Sequence, residues 1–196
     1  MNGPRSVLGS LDSTVLDWMH RHATPNGMAA CIAISQLGSP TALTLLGLAG
    51  ALLLAALEEW MMLGGWAAAF VGAPLLDQWL KVVIHRPRPA YATALLHHPT
   101  WSFPSGHAMG AIVAYGMLAY VVIRLGNATR RTRVAVVAAA SILVALIGIS
   151  RIYLGVHYLT DVVGGYAVGS IWLSLCIVAV ELGRSHARRP RLNPMG

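Results

Sequence analysis

The sequence predicts an all-α protein, a polytopic membrane helical bundle with about five to six transmembrane helices. Of its 196 residues, 56% are hydrophobic and only 11% are charged, whereas soluble domains contain about 25% charged residues. The mean hydropathy is +0.63. Several long stretches also lack charge and approach the roughly 17–25 residues that a helix needs to cross a bilayer. Together these observations indicate an integral membrane protein.

Five uncharged or nearly uncharged stretches account for the predicted spans. They are residues 41–57, 60–80, 108–123, 134–149 and 162–180. Only the second contains strongly polar side chains near its end, at Asp77 and Gln78. A sixth apolar stretch, 27–37, is too short to cross a bilayer comfortably.

The N-terminal region predicts a different kind of structure. Residues 1–26 are mixed and polar and lack the basic-then-apolar pattern of a signal peptide. Residues 11–38 predict an interfacial helix followed by a short apolar helix. The stretch QLGSP at 36–40 separates it from the first span, and Pro40 suits an early helical position. We therefore predict an N-terminal interfacial segment at 1–39.

The remainder divides into a transmembrane domain at 40–183 and a basic tail at 184–196. The net charge is +7, and two segments, 124–133 and 184–191, carry four arginines each. This pattern follows membrane topology better than a nucleic-acid-binding face, and it places both segments in the cytoplasm. The linkers around 85–107 and 150–161 then share the outer face, where their polar side chains can meet.

The first outer linker, KVVIHRPRP, carries Lys81, Arg86 and Arg88. The intervening prolines stiffen the backbone and favour a fixed position for the arginines. Asp77 lies one helical turn before Lys81, so we expect it to be a structural partner of that lysine. The alternative is a basic cluster that only anchors to lipid headgroups.

The second outer linker ends in FPSGHAMGA. Pro104 and Ser105 predict a helix start, and the free amides of a first helical turn suit a phosphate. Gly106 permits close approach of the backbone to a ligand. His107 lies in this first turn, where the alternative is a purely structural histidine.

The third outer linker, SRIYLGVHYLTD, joins two spans. If a helix begins near His157, Asp161 lies one turn further on, within reach of an imidazole nitrogen. Such a partner fixes the tautomer and leaves the other nitrogen as a nucleophile or base. Arg151 adds a cation. The alternative is a polar interface in which Tyr153 and Tyr158 are membrane-belt aromatics.

Taken together, the three linkers suit phosphoryl transfer. Lys81, Arg88 and Arg151 can neutralise the equatorial oxygens. One histidine can attack phosphorus while the other protonates the leaving oxygen. We predict no metal and no cofactor, because the seven acidic residues form no carboxylate-rich cluster of the kind that magnesium needs. Neither a disulfide nor a metal site is inferred from Cys31 and Cys176.

Three motifs carry a resemblance to a known family: Lys81-x6-Arg88-Pro89, Pro104-Ser105-Gly106-His107 and Ser150-Arg151-x5-His157-x3-Asp161. They resemble the signature motifs of the type 2 phosphatidic acid phosphatase (PAP2) superfamily, with every position filled and in order. The resemblance covers about residues 36–182. It implies a helical bundle, and integral bacterial members commonly have six spans.

The resemblance also implies roles for individual residues. Five residues look like phosphate ligands: Lys81, Arg88, Ser105, Gly106 and Arg151. His157 looks like the nucleophile that forms a phospho-histidine, and Asp161 looks like its orienting partner. His107 looks like the acid that protonates the leaving group and later activates water. Known members need no metal, and residues 40–183 would form the catalytic domain.

The expected function is therefore that of a metal-independent lipid phosphatase in the plasma membrane, with its active site facing the periplasm or outside. The expected partners are the bilayer and a lipid phosphate, with no nucleic acid. Undecaprenyl diphosphate, phosphatidylglycerol phosphate, phosphatidic acid and a prenyl-phosphate intermediate all remain candidate substrates. Linker 90–103 is interpreted as a membrane-facing lip of the pocket. No pattern predicts an oligomeric state.

Two alternatives stay open. A vanadate-dependent haloperoxidase would share the anion pocket, but those relatives are soluble and five apolar spans oppose this interpretation. A non-catalytic or transport protein could retain the fold, although a degenerate member is expected to lose a histidine and both are present. GHAMG (106–110) and GYAVG (165–169) place small residues four apart, which favours close helix packing.

Overall fold

The computed structural model describes residues 7–91 and 100–187, and within these ranges the chain is helical without strands. Seven helices follow one another: α1 (Val7–Arg21), α2 (Pro25–Gln36), α3 (Pro40–Ala56), α4 (Trp60–Ile84), α5 (Gly106–Leu125), α6 (Arg130–Tyr153) and α7 (Leu159–Ala187). The predicted all-α fold class is thus confirmed.

Five helical stretches are long and apolar enough to cross a membrane, by length and composition. Four are α4 to α7, and the first is Pro25–Ala56, which joins α2 to α3. The five predicted spans are confirmed. α4 to α7 extend a few residues beyond their uncharged stretches, whereas the first candidate span begins well before residue 41 because it includes α2. α2 also begins two residues earlier than the predicted apolar segment, because Thr24 caps it by accepting a hydrogen bond from the Gly27 amide.

α2 ends at Gln36 and α3 begins at Pro40, next to the boundary that we predicted at residues 39/40. Ser39 caps α3 through the Ala42 amide, and Pro40 occupies the first helical position. α2 nevertheless packs along α6, so an independent interfacial segment at 1–39 stays a prediction. Of the predicted cytoplasmic tail, residues 188–196 lie outside the described part of the chain.

The outer faces of the long helices are apolar. Leu52, Leu75 and Ile171 are 72%, 66% and 63% exposed. Large exposed apolar side chains on several long helices favour a hydrocarbon environment over water. The chain is therefore a multi-pass membrane protein.

α5 lies at the centre of the bundle and packs against α3, α4, α6 and α7. Its residues Met109, Val113 and Met117 are almost completely buried. They form one apolar cluster with Trp66 of α4 and Val180 of α7. This cluster fixes the relative positions of the three helices that carry most of the predicted site.

The alternating direction of the spans brings four helix ends to one side of the bundle. The C-terminal ends of α4 and α6 lie there together with the N-terminal ends of α5 and α7. A hydrogen bond from the Ser105 amide to the Asp161 carbonyl, 3.0 Å long, joins the starts of α5 and α7 directly. α1 packs against α6 and α7, so the three predicted motifs and α1 meet at this end.

The glycines of the two small-residue motifs lie at helix contacts, as predicted, but with different partners. A Cβ on Gly165 of α7 would lie 2.8 Å from the Ser105 carbonyl oxygen, and one on Gly169 would lie 3.0 Å from the Met109 carbonyl oxygen. Gly110 of α5 instead faces Leu43 of α3. The glycines of α7 therefore permit the close α5–α7 approach.

Gly165→Ala is expected to lower stability, because the new methyl group would press on backbone that has no rotamer to change. Overpacking of this kind costs about 1–3 kcal/mol. Gly64→Ala is the matched control, since a Cβ there meets nothing within 4 Å. In detergent, the midpoint temperature of thermal unfolding should be lower for Gly165→Ala than for Gly64→Ala. Equal midpoints would contradict the packing argument.

Candidate active site

His157 and Asp161 form the centre of the site. His157 is 2% exposed and Asp161 is fully buried. The imidazole Nδ1 lies 3.5 Å from the carboxylate Oδ2. Ser102 Oγ donates to the same Oδ2 at 2.5 Å and lies 3.4 Å from Nδ1. The predicted pair is therefore present, and Ser102 lies against both members.

α7 begins near His157, as the spacing argument assumed, but His157 itself lies just before the helix, so the pair does not lie on one continuous helix. α7 begins at Leu159. Asp161 reaches back and accepts a hydrogen bond from the Tyr158 amide, 2.9 Å long. A carboxylate at the third helical position caps the helix in this way. The cap leaves His157 in the linker, where it is free of the helical backbone geometry.

Arg88 contacts the other ring nitrogen of the imidazole, Nε2. Its Nη1 lies 3.3 Å from His157 Nε2 and donates to the Val156 carbonyl at 3.0 Å. A guanidinium can only donate, so Nε2 accepts and the imidazole proton lies on Nδ1, toward Asp161. The tautomer that the sequence predicted follows from this contact.

Burial and, to a smaller extent, the positive charges of Arg88 and Arg151 lower the pKa of His157 to about 4, against the opposing effect of Asp161. The ordinary value for histidine is about 6.5. His157 is therefore neutral near pH 7, with a lone pair on Nε2 that is available for attack.

The protonation state of His157 can be measured directly. We expect its imidazole to stay neutral as the pH falls, and to gain a proton only near pH 4. Nitrogen NMR of histidine-labelled protein in nanodiscs would report this, with the His157 signal identified by its loss in His157→Asn. Protonation at the pH of an ordinary histidine would contradict the expectation.

Lys81 pairs with Asp77, as the sequence predicted. The ammonium Nζ lies 2.5 Å from Asp77 Oδ1 and donates to the Pro104 carbonyl at 2.8 Å. Asp77 lies so close to α5 that a Cβ on Gly106 would be 3.0 Å from its Oδ2. The pair thus connects the end of α4 to the start of α5.

Two predicted phosphate ligands have buried polar atoms without a partner. Ser105 is the N-cap residue of α5, but its Oγ makes no capping bond. Ser105 Oγ and Arg151 Nε are the two buried side-chain atoms of the described residues that lack a hydrogen-bond partner. Arg151 Nη1 donates to Ser35 Oγ of α2. Since buried polar groups are normally satisfied, each of these atoms is a candidate contact for a ligand at this end of the bundle.

The charges around this place favour an anion. Lys81 is neutralised by Asp77, whereas neither Arg88 nor Arg151 forms an ion pair with a carboxylate in the part of the chain that the structure describes. The first-turn amides of α5 add a partial positive charge beside Ser105. Two arginines and a helix N-terminus suit a phosphate dianion.

His107 lies in the first turn of α5, immediately after Gly106. A Cβ on Gly38, at the junction of α2 and α3, would lie 3.5 Å from its Cδ2. All eight predicted site residues lie at, or within a few residues of, the helix ends that meet on one side of the bundle. Of the predicted lip at 90–103, residues 92–99 lie outside the described ranges.

The sequence did not identify several residues that contact the site: Asp12, Ser35, Thr100, Ser102 and Thr160. It also assigned no partner to Arg86. Arg86 Nη1 donates to Asp161 Oδ1 at 2.6 Å, and its position two residues before Arg88 was the available signal. Ser102 is three residues before Ser105. Nothing local marks Asp12, which is far from the motifs in sequence.

No group of three or more metal-ligating side chains (His, Cys, Asp or Glu) occurs within residues 7–91 and 100–187. The carboxylates of the site have other partners. Asp77 pairs with Lys81, and Asp161 accepts from Arg86 and Ser102. The positive potential beside Ser105 and Arg151 suits an anion rather than a cation.

Comparison with known proteins agrees with this site. The model of the PAP2 superfamily matches residues 61–184. Phosphatidylglycerophosphatase B of Bacillus subtilis is 42% identical over 95 residues, which are 48% of this chain and 46% of the relative. Decaprenylphosphoryl-5-phosphoribose phosphatase of Mycobacterium tuberculosis is 32% identical over 135 residues, 67% of each protein. The chain thus spans about half the length of the first relative.

A solved structure extends the likeness to nearly the whole chain. The crystal structure of a transmembrane PAP2-type phosphatidylglycerolphosphate phosphatase from Bacillus subtilis superimposes with a TM-score of 0.75 at 29% identity, over 93% of this chain and 88% of that one. The family match covers more than half of the chain and contains most of the site, from Lys81 to Asp161. The chain belongs to the PAP2 superfamily.

Proposed function

We propose that this protein is a metal-independent membrane lipid phosphatase that works through a phospho-histidine on His157. The observation that carries the proposal is the pair of unpartnered buried donors, Ser105 Oγ and Arg151 Nε, near a neutral His157. A phosphate would satisfy both donors. The family membership and the relatives' phosphatase names support the same reaction class.

The first step transfers the phosphoryl group to the enzyme. Phosphate oxygens would take the hydrogen bonds of Ser105, Arg151 and the α5 amides, and would replace Nε2 as an acceptor for Arg88. His157 Nε2 then attacks phosphorus and forms a P–N bond while the bond to the lipid oxygen breaks. His107 donates a proton to that leaving oxygen. Asp161 stabilises the positive charge that develops on the imidazole.

The second step returns the enzyme to its starting state. His107, now neutral, removes a proton from water, and the resulting P–O bond replaces the P–N bond. Inorganic phosphate leaves, and His157 is again a neutral imidazole. The same cations and amides stabilise charge in both steps, and His107 regains from water the proton that it gave to the leaving group. The cycle therefore needs neither a metal nor an added acid.

A lipid phosphate is the proposed substrate class. The site lies at the ends of apolar membrane helices, where a headgroup can arrive from the bilayer. The relatives are named for phosphatidylglycerophosphate and decaprenylphosphoryl-phosphoribose, and both names describe a phosphate ester on a lipid. Undecaprenyl diphosphate and phosphatidic acid belong to the same class. The arginines of 124–133 and 184–191 favour a plasma-membrane orientation with the site outside.

The decisive experiment is a panel of lipid phosphates and diphosphates presented to purified protein in nanodiscs, with phosphate release as the readout. We expect at least one lipid to be hydrolysed at a rate that disappears in His157→Asn. Well-folded protein that releases no phosphate from any member of the panel would overturn the proposal and favour the non-catalytic alternative.

Removal of metal ions should leave the activity intact. EDTA treatment followed by assay in metal-free buffer is expected to change the rate by less than about twofold, because two arginines and helix amides supply the positive charge. A metal-dependent phosphatase in the same buffer verifies the chelation. A strict requirement for magnesium would contradict the mechanism.

A further inference from the structure

Arg86 lies between two carboxylates that come from opposite ends of the sequence. Its Nη1 donates to Asp161 Oδ1 and its Nη2 donates to Asp12 Oδ2, both at 2.6 Å. The Tyr158 ring lies against the guanidinium, 4.3 Å from Cζ to the ring centroid. We call this arrangement the Asp12–Arg86–Asp161 bridge. Its two charge-assisted bonds fix the plane of the guanidinium.

Asp12 belongs to α1, which lies outside the region that the family model matches. The side chain is 2% exposed. Besides the bond from Arg86, it accepts hydrogen bonds from the Thr160 amide at 2.9 Å and the Thr160 hydroxyl at 2.5 Å. A completely desolvated carboxylate is therefore bonded to the residue beside Asp161.

The packing of α1 against the bundle does not require a buried carboxylate at position 12. Val15 and Met19 of α1 already pack against an apolar cluster that contains Ile152 and Val162. Burying a carboxylate costs several kcal/mol before its partners compensate, and an apolar side chain at position 12 would avoid that cost. Asp12 instead provides the carboxylate that accepts the hydrogen bond of Arg86 Nη2.

Arg86 in turn determines the orientation of Asp161. Oδ2 of Asp161 accepts from Ser102 and from the Tyr158 amide. Oδ1 accepts from Arg86 alone in the described part of the chain. Without Arg86 the carboxylate could rotate away from His157 Nδ1, which is already 3.5 Å from Oδ2.

We propose that Asp12 and Arg86 are positioning residues for the reaction, so that α1 completes the active site. Asp12 holds Arg86 against Asp161 and away from the phosphate, which is left to the neighbouring Arg88. Asp161 in turn holds His157 with its proton on Nδ1. This inference rests on the proposed function, because it assigns the bridge to the attack by His157.

Asp12→Asn tests the bridge while preserving the size of the side chain. We expect kcat to fall by about 10–100-fold, by analogy with the range seen when residues that orient metal-ligating side chains are changed. KM should stay within about threefold, because neither Asp12 nor Arg86 contacts the substrate. Asp17→Asn is the matched control, since it removes the same charge from the same helix, and among the described residues the Asp17 carboxylate bonds only to Tyr91. Its kcat should equal that of the parent protein.

A second variant covers the case in which Asp12→Asn does not fold. Arg86→Lys keeps the charge but cannot donate in two directions from a fixed plane, so its kcat should fall while its binding of vanadate is retained. Asp12→Asn combined with Arg86→Gln should lose little more than Arg86→Gln alone, because both changes break one bridge. Fully additive losses would indicate two independent structural effects and would overturn the proposal.

Nitrogen NMR of the histidines provides a readout that does not depend on turnover. The Nδ1-protonated tautomer of His157 should dominate in the parent protein and in Asp17→Asn, and should be mixed with the other tautomer in Asp12→Asn. If the parent protein hydrolyses no lipid, the proposed function fails, yet the tautomer still tests the bridge. If the parent protein is active and Asp12→Asn matches Asp17→Asn in kcat and in the His157 tautomer, the positioning role of the bridge is refuted. The proposed phosphatase function is then unaffected.

Discussion

Replacing His157 by asparagine is expected to reduce phosphate release by at least about 10⁴-fold, the scale on which removal of an enzyme nucleophile acts. Asparagine retains a polar group near Asp161 but has no basic nitrogen to attack phosphorus. The residual rate should come only from the cations and amides that stabilise charge. Initial rates with the best lipid of the panel would measure the loss.

His186→Asn serves as the control for this change. His186 lies in the last turn of α7 and bonds to the Leu182 carbonyl, at the opposite end of the helix that begins beside His157. The control should retain full activity. A labelled substrate, quenched in alkali, should leave phosphate on the parent protein and on His186→Asn but not on His157→Asn. Substantial turnover by folded His157→Asn would refute the nucleophile.

The spans could be predicted because the bilayer imposes a length and a composition on each of them. An uncharged stretch such as 134–149 has few alternatives to a transmembrane helix. The N-terminal region carries a weaker constraint. α2 belongs to the same candidate span as α3, although residues 27–37 alone are too short to cross a bilayer. α2 also packs on α6, and no local pattern predicts a contact between residues so far apart in sequence.

The site likewise contains residues that local sequence patterns predict and residues that only tertiary contacts reveal. Lys81, Ser105 and Arg151 could be identified because short motifs place them at helix ends. The roles of Ser102 and Asp12 could not, because they depend on tertiary contacts. Ser102 reaches Asp161 across 59 positions of the chain, and Asp12 reaches Thr160 across 148. The spacing of His157 and Asp161 predicted a helix start near His157, but it did not predict the cap that Asp161 forms on the Tyr158 amide.

Replacing His107 by glutamine is expected to affect different lipids to different extents. With a phosphate monoester the leaving group is an alkoxide, a strong base that requires a proton as the bond breaks. The rate should therefore fall by about 10²–10⁴-fold, the usual contribution of a general acid. With a lipid diphosphate the leaving group is a phosphate, a far weaker base, so transfer to His157 should lose much less.

The second half-reaction separates this role from a structural one. Water attack needs His107 as a base for both substrates, so His107→Gln should accumulate phospho-histidine when it is given a lipid diphosphate. Rapid quench in alkali should show a burst of labelled enzyme followed by slow release of phosphate, and the labelled fraction at steady state should be larger in His107→Gln than in the parent protein. Equal losses on monoester and diphosphate without a burst would remove His107 from both proton transfers. The leaving-group dependence therefore assigns His107 its acid role, and the burst assigns its base role.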